Sequence, residues 1–547
     1  MLTPGKKAGL LIIGVLIIVI AAWQIYKYSL IHDQVTRAVV EKSKGLYHIH
    51  YERLSLDAAA GILHVKNIEL TPDTALYRQM VEEKRNPPLL VKVYIPALDV
   101  LGVKTPKALL SKQIEGRKIE MADPRIEILL GPSQKKDTTA YDPARDISKE
   151  LLGKLQMIKV DSVSLLRADV TVRRLHSDAM AISGKYVSCL LSGLLIDSLA
   201  VKDSSRILFS RSLDLVCDEL QFPSENRKYR LYMSKVRYSS KDDALDIGGI
   251  RLKPQLPEAE FARSFPVQKD RYDFSLEEVR LLHFDRKGLW NKRIEADSLI
   301  VRESFFKVYR DLSYPHDTVS KVGKYPQQQL MRMSIPIDIR KVLFLHSFIE
   351  YKEKNAKSDS AGKLQFFDVS ATVDNVTNRR PAISRDNACT LNFRAKLLDR
   401  APVDARLVLL LNDRKGRFSI EGNIGAMDVM HLNPLTQPMG LARMEKGRID
   451  KLHFAFSGND SSCEGQVTML YDDLKVSLLK KNKQENKYEK KGLASLVTNV
   501  IMKNSNPGKG GDPRTVHVQF RRILNKSFFN LIWKTLFTGV KETVGVK

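Results

Sequence analysis

Cysteine is scarce in this chain. There are four in 547 residues, Cys189, Cys217, Cys389 and Cys463, and no two form a CxxC pair. A zinc ribbon, a thioredoxin-like redox centre and a disulfide framework are thereby excluded as the basis of the fold. The four thiols read as small buried apolar residues. Catalytic signatures are missing as well: there is no GxSxG, no HExxH and no GxGxxG that opens a helix after a strand. Gly508 to Gly511 with Lys509 lacks phosphate-loop spacing and the Ser or Thr that should follow the lysine, so it reads as a flexible connection. His48, His50 and Glu52 alternate on one strand face, but read as a polar face rather than a metal set. Asp472 and Asp473 beside Tyr471 read as a turn between strands. No nucleophile or base can be named, so no catalytic residue, metal ligand or cofactor is assigned. Long apolar runs are missing too, with one exception, at the N-terminus.

That exception is Ala8 to Trp23, AGLLIIGVLIIVIAAW. At ~1.5 Å per residue it spans roughly 24 Å as a helix, close to a hydrocarbon core of about 30 Å. Leu10, Leu11, Ile12, Ile13, Val15, Leu16, Ile17, Ile18, Val19 and Ile20 supply the apolar surface, and Trp23 begins an interfacial aromatic belt with Tyr26 and Tyr28. The stretch reads as a retained signal-anchor over 8–28 behind a cytoplasmic tail at 1–7, carrying Lys6 and Lys7. The competing reading is a signal peptide cleaved after Val19-Ile20-Ala21. A linking helix at 29–45 follows, ended by Gly45. The chain carries 89 Lys and Arg against 63 Asp and Glu, a formal charge of +26. Such a balance calls for an acidic partner, and the anchor favours anionic headgroups. The basic run Lys480 to Lys491 has only Tyr488 as an aromatic, which disfavours nucleic acid.

Beyond Gly45 the pattern becomes one of short strands with period-two alternation and Pro-Asp turns, as at Ile68 to Asp73. Two echoes recur at nearly one offset. Lys112-Gln113-Ile114-Glu115 returns as Lys292-Arg293-Ile294-Glu295, and Ile68-Glu69-Leu70-Thr71-Pro72 as Ile250-Arg251-Leu252-Lys253-Pro254. The expected fold is therefore mainly β: an elongated, curled antiparallel sheet built from repeated units, 46–255 and 256–479, with an apolar groove. Leu452, Phe454 and Phe456 share one strand face, as do Val516, Val518 and Phe520, and these six are the candidate groove lining. Residues 480–547 form a basic connector, a last strand and amphipathic helices. Phe528, Phe529, Trp533 and Phe537 crowd one of those helices, after a possible N-cap at Ser527. They either dock in a membrane interface or plug the end of the sheet; the few basic residues on the polar face favour the plug.

Several stretches together resemble the AsmA-like envelope proteins, including the related DUF748-type group. They are the ladder YERLSLD…GILHVKNIELTPD, Lys159-Val160-Asp161-Ser162-Val163, Leu432-Asn433-Pro434-Leu435, Gly447-Arg448-Ile449-Asp450, Phe456-Ser457-Gly458-Asn459-Asp460 and Tyr471-Asp472-Asp473-Leu474-Lys475-Val476. The resemblance implies a single-pass inner-membrane protein with its bulk in the periplasm. It also implies a fold similar to the chorein-type bridge proteins, phospholipid as cargo, and a part in lipid transport and outer-membrane homeostasis. This chain is short beside the large bridge-forming members. A non-transporting assembly or scaffold factor that touches outer-membrane proteins is the alternative, and an anchored hydrolase a weaker one.

Overall fold

The computed structural model describes residues 34–104, 113–131, 156–482, 487–490 and 503–546, apart from positions 176, 198, 201–202, 204, 208, 225, 243, 286–287, 289–292, 357, 359, 441 and 509. The expected anchor at 8–28 and the amphipathic stretch around Leu493 to Ile501 lie outside the described residues. Among the described residues no helix is long and apolar enough to cross a membrane. The fold is mainly β and antiparallel-rich. The chain divides into two compact units, residues 1–249 and 250–547.

The first unit holds α1 (Gln34–Lys42), β1 (Tyr47–His50), β2 (Arg53–Asp57), β3 (Ile62–Pro72), α2 (Thr74–Glu82), β4 (Leu89–Leu101), β5 (Gln113–Ala122), β6 (Arg125–Leu130), β7 (Met157–Arg174), β8 (Ser177–Ile196), β9 (Ser212–Pro223) and β10 (Tyr229–Ser239). β11 (Ala244–Pro254) crosses the boundary. β1 and β2 both pair with β3, β3 pairs with β4, and β4 pairs with β5 and β6. β7 runs on through β8, β9 and β10, all antiparallel. One register row crosses five strands: Val65, Leu98, Met121, Leu165 and Cys189. All five are buried. Alternation alone does not keep such a face apolar. In β3 the buried residues are Leu63, Val65 and Ile68, a step of two and then of three. Asn67, at φ 51°, lies at that step; its left-handed backbone turns the alternation by one residue while the register with β4 runs on unbroken, so the apolar side chains return to the same face. Arg167 at φ 52° does the same in β7, where the register slips between Leu165 and Ala168.

The second unit holds α3 (Glu258–Arg263), β12 (Arg271–Phe284), β13 (Ile294–Asp311), α4 (Pro326–Arg332), β14 (Ile337–Lys354), β15 (Ala361–Thr377), α5 (Arg380–Ile383), β16 (Ala388–Leu397), β17 (Ala401–Leu410), β18 (Phe418–Ile424), β19 (Met427–Asp428), α6 (Asn433–Gly440), β20 (Ala442–Gly458), β21 (Ser462–Asn482), β22 (Lys487–Lys490), β23 (Thr515–Arg521) and α7 (Phe528–Thr543). The order of elements echoes the first unit. A helix follows β11 as α2 follows β3. Then β12 pairs antiparallel with β13, β13 pairs parallel with β14, and β14 pairs antiparallel with β15. In the first unit β4, the split β5 and β6, then β7 and β8 take the same senses.

Three local expectations are corrected. The sheet is not antiparallel throughout, because β5 and β6 meet β7, and β13 meets β14, in parallel. A parallel join needs a long return path, which the residues between Leu130 and Met157 and between Asp311 and Ile337 provide. Asp472 and Asp473 lie inside β21 rather than in a turn; Asp473 is a bulge at φ 53°, and Asp472 accepts a hydrogen bond from the Ser505 hydroxyl at 2.5 Å. The basic stretch from Lys480 is strand in part rather than a connector throughout, with Leu479 to Asn482 paired antiparallel to Lys490 to Lys487.

All four cysteines are free and buried. Burial pushes the thiol of Cys189 up to about 12, and those of Cys217, Cys389 and Cys463 up to about 11. A raised thiol pKa keeps sulfur protonated, so at pH 8 the folded chain holds little nucleophilic thiolate. The folded state is disfavoured only as pH rises past the unfolded thiol value towards these higher ones. The full chain should therefore show almost no thiol reaction with a disulfide reagent at pH 8, and all four thiols after denaturation. Rapid reaction of two or more thiols in the native chain would contradict the burial.

Candidate apolar site on the second unit

The site begins with bulges. Glu278 in β12, Glu303 in β13, His346 in β14 and Asp368 in β15 all have positive φ, between 48° and 53°. Their side chains are short or polar and tolerate exposure, and each shifts the alternation of its strand by one residue. In β14 the shift separates Phe344 from Phe348, which plain alternation would put on one face. Each ring then joins a different ladder. On one face Phe274 lies 6.0 Å from Phe306, and Phe306 lies 6.2 Å from Phe344. Phe366 and Phe393 meet edge-on at 5.7 Å and pack against the small core of Leu397, Ala401, Val403 and Met427. On the other face Phe305 stands 6.3 Å from Phe348, and Phe348 stands 4.9 Å from Phe367. The Lys307 ammonium lies 6.0 Å from the Phe348 ring on that second face. Between the bulges the Ser304 hydroxyl donates to the Ser347 hydroxyl at 2.5 Å, both buried, so no polar group is left unpaired there.

Phe274, Phe306, Phe344, Phe366 and Phe393 are all half-buried, whereas the row from Val65 to Cys189 in the first unit is fully buried. Apolar surface left in water at ~25 cal/mol per Å² is a standing cost that a hydrocarbon partner relieves.

The residues expected to line a groove are placed differently. Leu452, Phe454 and Phe456 do share a face of β20, and Val518 joins them from β23 by way of β21. All four are buried in one core with Phe528 and Leu531 of α7. Phe520 packs against that core, and Val516 is half-buried on the same strand. These positions lie under a helix rather than along an open groove, because α7 packs on β21 and β23. The helix can approach closely because Gly539 sits against Val467, where any side chain would collide.

The same packing divides the four aromatic residues of α7. Ser527 caps the helix, its hydroxyl accepting from the Asn530 N–H at 3.3 Å. Phe528 is buried and meets Tyr325 and Phe418 edge-on, both at 4.8 Å. Phe529 is 66% exposed and Phe537 43% exposed. Trp533 is half-buried and stacks on Phe537 at 6.1 Å, with the ammonium groups of Lys534 and Lys541 each 6.0 Å from that ring. One residue of rotation, about 100° on a helix, thus separates the plugging aromatic from the outward stripe at 529, 533 and 537.

A polar clamp holds this end together, and sequence reasoning did not find it. Arg522 pairs with Asp460, their side chains 1% and 11% exposed, and its guanidinium lies 4.3 Å from the Tyr325 ring. Gln328 Nε2 donates to Asp460 at 2.6 Å, and the Tyr325 hydroxyl donates to the Asn459 carbonyl at 2.9 Å. Nothing in the spacing of Tyr325, Asp460 and Arg522, which lie far apart in the chain, announces the pairing.

In the first unit, His48 faces Asp73 at 3.9 Å, and Glu52 accepts from Asn67. His64 stands opposite Ser55, not beside His48 and His50, and holds Asp99 at 2.6 Å. Among the described residues no three His, Cys, Asp or Glu side chains are grouped to hold a metal. No protein-family model matches the chain, and no curated protein matches it with significance.

Phe528→Ala should loosen α7 and Phe529→Ala should not. Truncating a buried Phe costs about 3 kcal/mol or more, whereas an exposed site changes stability by under ~0.5 kcal/mol. Cys463 lies in the core beneath α7. Its labelling by a thiol reagent should accelerate about 100-fold in the first variant and stay within about threefold of the parent in the second. Equal effects would show that the helix does not seat as described.

Proposed function

We propose that this chain is a membrane-tethered, non-enzymatic β-sheet protein whose second unit shelters the acyl chains of phospholipids. The observation that supports this is the half-buried ladder Phe274, Phe306, Phe344, Phe366 and Phe393 on one sheet face. Its mechanism is solvent exchange. Each methylene moved from water onto apolar surface gains about 0.8 kcal/mol, so a chain of methylenes is held without any directional contact. Aromatic rings and branched side chains repeat along strands, so one position resembles the next and a tail slides rather than locks. Headgroups stay in water beyond the sheet edge. No bond is made or broken, in keeping with a sequence that offers no nucleophile or base.

The anchor expected at 8–28 would tether the sheet to the inner membrane, with the bulk of the chain in the periplasm. The cargo would be phospholipid, the setting lipid transport and outer-membrane homeostasis, as the resemblance to AsmA-like proteins implies. The charge of +26 suits anionic headgroups at the sheet edge.

Photo-crosslinking tests the reading in the full chain within membranes. A photoreactive residue at 306, 344 or 366 should capture radiolabelled phospholipid. The same group at Lys307, on the opposite face, should capture at least fivefold less. Equal labelling of both faces, or none at either, would remove the lipid reading and leave the scaffold alternative.

A further inference from the structure

The exposed apolar side chains of the second unit are unevenly spread. Val319 is 56% exposed, Val322 43%, Ile523 42%, Leu524 57% and Phe529 66%. These come from two segments about 200 residues apart, the loop after β13 and the stretch that runs from the end of β23 into the first turn of α7. Hydrogen bonds tie the two together. The Lys321 N–H donates to the Leu524 carbonyl at 2.7 Å, Arg522 Nη2 donates to the Lys321 carbonyl at 2.6 Å, and Asn525 Nδ2 donates to the Asp317 carbonyl at 2.6 Å. From its other side the loop is held by Gln268, whose amide donates to the Tyr314 carbonyl at 2.8 Å. The patch is thus a built surface with fixed backbone.

Its charge is one-sided. Residues 317–324 and 521–534 carry six basic residues (Lys321, Lys324, Arg521, Arg522, Lys526, Lys534) and one acid, Asp317; Arg522 is buried against Asp460, which leaves five basic residues for the patch. That acid is taken by Lys269 at 2.5 Å. Lys526 is half-buried, and its ammonium lies 3.5 Å from His316 Nδ1. Lys321 reaches Asp270 at 3.9 Å, but Arg310 already holds both oxygens of that carboxylate. Burial, with Arg310 close by, holds the ammonium groups of Lys321 and Lys526 below the ordinary lysine range. An added anion would relieve both. Aliphatic and aromatic side chains set among lysines, with no free carboxylate, match the chemistry of a bilayer interface: apolar groups enter the acyl boundary while ammonium groups meet phosphates.

We propose that the patch of Val319, Val322, Ile523, Leu524 and Phe529, ringed by Lys321, Lys324 and Lys526, docks on an anionic phospholipid bilayer. This contact is separate from the expected anchor and does not depend on lipid held along the Phe306 face. The chain would therefore touch lipid at a second place, where the sheet closes against α7.

Vesicle capture tests it. The full chain is held in neutral phosphatidylcholine nanodiscs on a surface and offered vesicles of phosphatidylcholine alone or with phosphatidylglycerol at about one lipid in three. The parent should capture the anionic vesicles at least fivefold better than the neutral ones. The charge-neutral double variant Leu524→Ser with Phe529→Ser should lose at least fivefold of that capture. Leu199→Ser, at an exposed leucine of the first unit, should lose none. Slow thiol labelling of Cys463 would verify that the double variant remains folded. Failure of the parent to capture vesicles, equal capture of neutral vesicles, or full capture by the double variant would each overturn the proposal. The last would assign binding to net charge alone. Crosslinking at Phe306 reads a different face, so either reading can fail without the other.

Discussion

A sheet with one apolar face must hide that face, and most of this molecule follows from how it does so. Regular alternation drifts off target as strands lengthen and twist, so the strands carry left-handed backbone at polar residues. Asn67, Arg167, Glu303, His346 and Asp368 are examples. Each turns the alternation of its strand by one residue: in β3 this returns Ile68 to the buried face, and in β14 it puts Phe344 and Phe348 on opposite faces. In the first unit the row from Val65 to Cys189 is buried, while Leu215, Phe222 and Leu231 further along the sheet stay half-buried. In the second unit the same device leaves two aromatic ladders, one per face; Phe306 and Phe344 stay half-buried on one, and Phe305 is exposed on the other. The functional reading rests on the run of half-buried rings from Phe274 to Phe393.

The far end of the second unit solves the problem in another way. α7 lays Phe528 and Leu531 over Leu452, Phe454, Phe456 and Val518 and closes the sheet. An ion pair between Arg522 and Asp460 fixes the strand that leads into the helix, stacked on Tyr325 and tied to Gln328. Breaking such a buried pair leaves an unpaired charge in a dry place, which makes this end specific as well as closed. The closure turns the remaining aromatic residues of α7 outward and leaves Ile523 and Leu524 exposed at its foot. Burial at one surface and exposure at its neighbour thus have a single cause.

Much of this was legible in the sequence. Period-two alternation located the strands, and Leu452, Phe454 and Phe456 do share a face. The echoes near 180 residues coincide with a recurring order of helix, antiparallel pair and parallel join. What was not legible follows from the physics. The bulge residues are ordinary polar side chains with no glycine to mark them, so the change of face between Phe344 and Phe348 is invisible until the pairing is known. The parallel joins use strands with the same apolar pattern as the antiparallel ones. Phe528 and Phe529 are neighbours of one type, and only the docking angle of α7 decides which is core. The pairing of Arg522 with Asp460 leaves no local mark at all.

The central claim is that the half-buried Phe306 face of β12 to β15 carries acyl chains. Its most direct test is the count of phospholipid that stays with the purified full chain after thorough detergent exchange, compared with a variant carrying Phe306→Asp and Phe344→Asp. The account predicts lipid bound to the parent beyond what an anchor would retain, falling at least threefold in the variant while Cys463 labelling stays slow. An unchanged lipid count in a folded variant would contradict it.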